Sequence, residues 1–180
     1  MMLKSNEIKD SSGFYVVVII WFSLLSCLIF SNAELLKKDF SDGTIEQMLI
    51  FCDNFEVFIL AKMMANWIIS LLPILIAMPL IVSVSGIKQD FVVLMSLTIL
   101  ASLAINFICG FCGSISLAGN SAPMIAVIAL PLIIPILLIA ESGLIAENFY
   151  VSVKILCGLV VLSALLAIYA GAKIVKIIEE

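Results

Sequence analysis

The chain has 180 residues, is 64% hydrophobic and only 12% charged, with a net charge of −4. A soluble domain carries about a quarter charged residues, so a chain this apolar needs lipid as its main solvent. All nine basic residues are Lys, with no Arg and no His, which removes the basic patch that nucleic acid requires and rules out His metal ligands, a Ser-His-Asp triad and bidentate Arg clamps.

Five apolar runs are long enough to cross a bilayer as helices, which takes about 20 residues each. In chain order they are Phe14 to Ala33, Asn66 to Ser85, Phe91 to about Leu117, Ala122 to Ala140, and Phe149 to about Ala172. No stretch alternates with period two, so the fold class is all-α: a polytopic helical membrane bundle rather than a barrel. Residues 1–180 read as one transmembrane domain. Most links are short, with turns at Gly86 to Asp90 and Gly119 to Ser121 and an acidic loop from Glu141 to Glu147. The exception is residues 34–65, a segment of mixed polarity between the first two spans.

A cleavable signal peptide is the competing account of the first run, with Lys4 and Lys9 ahead of it and Ser31-Asn32-Ala33 behind. The apolar run is longer than a signal core, and an anchored span is the better reading. Lys residues favour the cytoplasmic side. Lys37, Lys38, Lys62, Lys173 and Lys176 fall on one side; Lys4, Lys9, Lys88 and Lys154 fall on the other. This bias places the long loop and the C-terminus inside.

Within the loop, Asp42-Gly43 signals a turn, and Thr44 with Gln47 three residues later fits a capping box. A short helix should start there, with Ile45, Met48, Leu49 and Cys52 on its apolar face and Glu46 turned elsewhere. Asp53 with Glu56 makes a second cap, beginning a helix near Asn54 that continues through Lys62 into the second span. Such an element serves either as an interfacial anchor or as a docking helix for a partner.

Lys38-Asp39-Phe40-Ser41-Asp42-Gly43-Thr44-Ile45-Glu46-Gln47-Met48 resembles the signature loop of the cytochrome c maturation protein B family, also called haem exporter protein B. The resemblance continues through Ala61-Lys62-Met63-Met64-Ala65-Asn66-Trp67, Leu72-Pro73 and Pro79-Leu80. It returns at Leu130-Pro131-Leu132-Ile133-Ile134-Pro135-Ile136-Leu137-Leu138, and covers the chain from about Phe14 to its end. It implies a non-catalytic membrane subunit of an ABC-type transporter in the bacterial inner membrane. ATP would be hydrolysed by a separate cytoplasmic ATP-binding subunit. The segment 34–65 would carry the coupling helix, with Asp39, Asp42, Gly43, Thr44, Glu46 and Gln47 at the ATPase. Lys62, Trp67, Pro73, Pro79, Pro131 and Pro135 would be structural or hinge positions. Further implied partners are a haem-handling membrane subunit, a small single-span subunit and a periplasmic haem chaperone. Haem is the implied candidate substrate of the complex, with no cofactor assigned to this chain. Family members usually have six spans, so the chain looks shortened by about one span at its N-terminus. The family's loop between spans three and four is also basic, whereas Leu117-Ala118-Gly119-Asn120-Ser121 carries no charge.

Two other readings remain. Cys109-Gly110-Phe111-Cys112 could serve an intramembrane thiol oxidoreductase. However, Gly113 replaces the His of a haem-attachment motif, and Gly110, Gly113, Ser114 and Ser116 point to close helix packing instead. A non-transporting assembly scaffold is the third reading. The prolines read as packing bends. Asn106, deep in the third span, reads as a helix–helix hydrogen bond.

Overall fold

A computed structural model describes the backbone of residues 2–51, 54–85, 90–119 and 123–179. Side chains are described for 15–48, 50–51, 54–84, 90–117, 127–145, 147–175 and 177. The elements are helices α1 (Met2–Ser41), α2 (Thr44–Phe51), α3 (Phe55–Ser85), α4 (Phe91–Gly119) and α5 (Pro123–Ser142). A 3₁₀ turn (Ala146–Asn148) then leads to α6 (Phe149–Leu165), a π-helical segment (Leu166–Gly171) and α7 (Ala172–Glu179). No strand occurs among the described residues, as the absence of period-two patterning predicts.

Among the described residues, four helices are long and apolar enough to cross a membrane: Tyr15–Ser41, Phe55–Val84, Phe91–Leu117 and Phe149–Val175. The apolar part of α5 that qualifies, Val127–Ser142, is shorter. The whole of α5 has 20 residues, which at 1.5 Å each reach about 30 Å, the thickness of the hydrocarbon core.

Helix α4 is the axis of the bundle. It packs against α1, α3, α5, α6, the π-helical segment and α7. Its sequence explains this position. Ala101, Ala104, Cys109, Cys112, Ser102 and Ser114 are small and buried, so neighbouring backbones can approach closely. The main core runs along α4 and joins Trp21, Leu24 and Leu28 of α1 to Leu94, Leu97 and Ile105 of α4 and Ile133 and Ile136 of α5.

Helix α1 departs from the sequence expectation. It begins at Met2 rather than Phe14 and continues past Ala33 to Ser41, so much of the expected loop is helix. Glu34-Leu35-Leu36-Lys37-Lys38 contains good helix formers and no breaker. Leu36 is buried against the bundle. The end of the apolar run marked where the chain leaves hydrocarbon, not where the helix stops. Helix α5 likewise extends through Ser142 into the expected acidic loop, and Gly119 is still helical. The turn at Gly86 to Asp90 falls almost wholly outside the described residues, as do Asn120 and Ser121 of the next turn and Asp53 of the second cap. Helix α3 starts at Phe55, next to the expected Asn54.

A second apolar cluster closes one end of the bundle. It joins Leu36, Ile45, Phe55, Ile59 and Met63 to Phe107, Ala167, Ala172 and Val175. Helix α2 and the C-terminal α7 therefore lie at the same end, as an even number of spans between them requires.

Candidate functional site

The site is the link from α1 through α2 to α3. Gly43 has φ +68°, the left-handed region that glycine enters without penalty. Its N–H donates to the Phe40 carbonyl at 3.3 Å, and the Asp42 N–H donates to the Lys38 carbonyl at 2.9 Å. These bonds close the end of α1. The Gly43 carbonyl then accepts the Gln47 N–H at 3.3 Å, so the same residue starts α2. The capping box placed Thr44 ahead of the helix. The structure makes Thr44 the first helical residue and gives the preceding position to Gly43.

Helix α2 has two faces. Ile45 is fully buried in the end cluster and Met48 is half-buried. Leu49 and Cys52, expected on the same face, have side chains outside the described residues. The opposite face presents Glu46 and Gln47, with Ile50 at 78% and Phe51 at 82% exposure. Sequence reasoning assigned no role to the last two. Ile50 lies four residues after Glu46 and Phe51 four after Gln47, the spacing that puts each on the polar face.

The arms of the link are joined by an ion pair. Lys62 Nζ of α3 meets Asp39 Oδ2 of α1, with the two side chains 21% and 15% exposed. The Lys62 ammonium also lies 5.7 Å from the centre of the Phe58 ring, within cation–π range. Asp39 is thus engaged inside the chain, while Asp42, Glu46 and Gln47 are exposed. Gly43 and Thr44 are half-buried. Of the residues singled out in the sequence, the structure brings together Asp39, Asp42, Gly43, Thr44, Glu46, Gln47 and Lys62 at one end. It does not bring Trp67 or the prolines there.

Deeper in the bundle, a seam of hydrogen bonds ties α1, α3 and α4. Asn32 Nδ2 donates to the Leu28 carbonyl at 2.9 Å and to Asn106 Oδ1 at 3.1 Å. Asn106 Nδ2 donates to the Met63 carbonyl at 3.0 Å. Ser31 Oγ donates to Asn66 Oδ1. Trp67 Nε1 donates to Ser102 Oγ at 3.0 Å, and Trp21 Nε1 to Thr98 Oγ1 at 3.0 Å. Asn106 therefore makes the interhelical bond its sequence predicts, and its partner Asn32 is a residue the sequence did not single out.

Pro73 and Pro79 lie inside α3, and Pro131 and Pro135 inside α5; both helices run through them. All four rings are exposed, so the amides they remove lie away from the core. Pro135 also borders an apolar cavity of about 210 Å³ shared with Ile108, Phe111, Leu159 and Leu166. Cys109 and Cys112 are free thiols, both fully buried in α4. A Cβ at Gly110 would come within 2.5 Å of Met63 Cε, so the Met63 side chain of α3 packs into the space this glycine leaves.

A bundle of long apolar helices around a central helix, with a short capped helix between its first two long ones, defines a polytopic α-helical membrane protein. A family model described as CcmB protein matches residues 15–178, nearly the whole chain, and the chain belongs to that family. It is 26% identical over 128 residues to Heme exporter protein B of Pseudomonas aeruginosa, covering 70% of this chain and 57% of that protein. It is 26% identical over 135 residues to Heme exporter protein B of Haemophilus influenzae, covering 74% of this chain and 61% of that protein. The chain thus spans about three fifths of the curated relatives it matches. Its location is the bacterial inner membrane, consistent with helical rather than barrel spans.

Proposed function

We propose that this chain is the membrane subunit of an ABC-type complex that handles haem in c-type cytochrome biogenesis, and that α2 is its coupling helix. The relatives' name, Heme exporter protein B, supports the haem assignment. The observation that carries the coupling role is the two-faced α2, with Ile45 locked into the bundle and Glu46, Gln47, Ile50 and Phe51 turned outward. A short helix anchored in the bundle by its first turn transmits a push instead of absorbing it. Its outer face mixes two large apolar side chains with a carboxylate and an amide, a composition suited to a protein groove. The partner is a separate cytoplasmic ATP-binding subunit, with Asp42, Gly43, Thr44, Glu46 and Gln47 in the contact and Asp39 behind it. A haem-handling membrane subunit, a small single-span subunit and a periplasmic haem chaperone complete the proposed assembly. Residues 1–180 act as one transmembrane domain within it. Nothing in the arrangement favours thiol redox chemistry, because both thiols of the Cys-x-x-Cys segment are buried among packed helices.

The test is a variant with Glu46→Lys, Ile50→Ser and Phe51→Ser. All three side chains are exposed, so the chain should insert and fold normally. Co-purification of the ATP-binding subunit should fall at least tenfold, and holocytochrome c formation should fall with it. Wild-type association and wild-type cytochrome levels would overturn the coupling assignment.

A further inference from the structure

The C-terminal helices do not bury one continuous face. Along α6 the buried residues are Ser152, Leu156 and Ser163, and Ala167 follows them in the π-helical segment. Their spacings of four, seven and four keep one side of an α-helix turned inward. Carried on without a break, that side would next show Ile174, seven residues after Ala167, and then Ile177 and Ile178. The structure buries Ala172 and Val175 instead, five and eight residues after Ala167. Ile174 is half-buried and Ile177 is 61% exposed. The inward face has therefore slipped by one residue, a turn of about 100° around the helix axis.

The slip falls where the backbone is π-helical, Leu166–Gly171. A π turn takes up one residue more than an α turn, and such turns are rare and concentrate at functional positions. Here it seats α7, because Ala172 and Val175 join Ile45 of α2 in the end cluster. Yet the larger apolar residues of α7 belong to the other phase. In an unbroken α-helix Ile174, Ile177 and Ile178 line up with the buried face of α6, while Lys173, Lys176, Glu179 and Glu180 fall to its sides and back. The sequence thus supplies α7 with two apolar faces, and the π turn selects one. The pivot is Ala170-Gly171-Ala172, whose small side chains can turn past α4. It runs so close to that helix that a Cβ at Gly171 would come within 3.1 Å of Ser114 Oγ.

We propose that the π-helical segment is a register switch with two seats for α7. The first seat is the one described, with Ala172 and Val175 against the end cluster. In the second, the extra residue is released and the helix is α from Phe149 onward. Helix α7 then turns by about 100° and advances by about 1.5 Å, which brings Ile174 and Ile177 to the cluster. Packed helix interfaces hold discrete positions of this kind more readily than intermediate ones. Ile45 shares the cluster, so the face that α7 presents decides what α2 rests on. The switch is a property of α6 and α7 and does not rest on the coupling assignment.

The test is a distance measurement on the full chain in lipid nanodiscs, with its native cysteines replaced. Spin labels on Lys37→Cys of α1 and Lys173→Cys of α7, both exposed positions, are read by pulsed double electron–electron resonance. Two distance populations are expected, because a side chain about 5 Å from the helix axis moves by about 8 Å in a 100° turn. The minor one should reach about one tenth of the total. Deleting Tyr169, which is 67% exposed, removes the extra residue and keeps α7 in the first seat, so only the major distance should remain. Val175→Ser weakens the first seat and should at least double the minor population. A single distance in the full-length chain, a second distance that survives deletion of Tyr169, or a minor population that Val175→Ser fails to raise would overturn the proposal.

Discussion

Gly43 is where one residue controls two elements. Its left-handed φ ends α1, and its carbonyl begins α2. A Cβ added there meets nothing within 4 Å, so a substitution is penalised by backbone conformation and not by crowding. An L-residue pays about 1–2 kcal/mol in this region, and Asn pays less because it enters it more readily. Gly43→Ala should therefore lower the thermal midpoint of the detergent-solubilised chain, and Gly43→Asn should lower it by less. An equal loss for both would mean that something other than φ constrains the turn. This position was legible in the sequence, since Asp-Gly after a helical run marks a turn. Its double duty was not, because the end of the apolar run at Ala33 reads as the end of the span, whereas α1 continues to Ser41. Asn106 was legible as an interhelical donor for a similar reason: an amide deep in an apolar helix must find a partner. Which partner it finds depends on the offset between α1 and α4, and no periodicity within one helix encodes that.

At the scale of elements, the link is stiff because it is tied twice. Ile45 holds the first turn of α2 in the end cluster, and the Asp39–Lys62 pair ties the end of α1 to the first half of α3. Asp39 then acts on the proposed coupling through Lys62 instead of touching the ATPase. Replacing either charge leaves its partly buried partner unpaired, at a cost of about 1–3 kcal/mol. Asp39→Asn and Lys62→Gln should each keep the ATP-binding subunit in pull-downs but weaken the dependence of its turnover on the membrane subunit. The exchange Asp39→Lys with Lys62→Asp should restore most of that dependence. A docking role for Asp39 predicts the reverse: lost association that the exchange does not repair. The sequence identified both residues but not their pairing, since they lie on helices whose register is set by packing. The same gap explains the underestimated α1. Hydropathy reports where lipid ends, while helix ends are set by propensity and by Gly43.

Across the whole molecule, the surroundings of α4 are not uniform. On one side α1 and α3 are fastened to it by Trp21–Thr98, Asn32–Asn106, Asn106–Met63 and Trp67–Ser102. On the other side, the Ser142–Ser152 contact at 3.0 Å joins α5 to α6. Helices α1 and α5 meet only sparsely and border a cleft of about 250 Å³ lined by Val17, Val18, Trp21, Ile134, Leu138 and Glu141. Hydrogen-bonded helices in a bilayer tend to move as a block, and packed interfaces shift between discrete positions more readily than they stretch. On the proposed coupling, a push delivered through α2 would enter the α1–α3–α4 block, so the relative motion would fall at the α1–α5 cleft. In a chain whose native cysteines are replaced, Val18→Cys and Leu138→Cys bridged by a bifunctional thiosulfonate should reduce ATP-driven activity of the assembled complex at least fivefold. The same bridge between Trp21→Cys and Thr98→Cys, inside the fastened block, should leave most of it. If the cleft bridge is harmless and the block bridge inhibits, the moving boundary runs between α1 and α4, and the polar seam must open during the cycle.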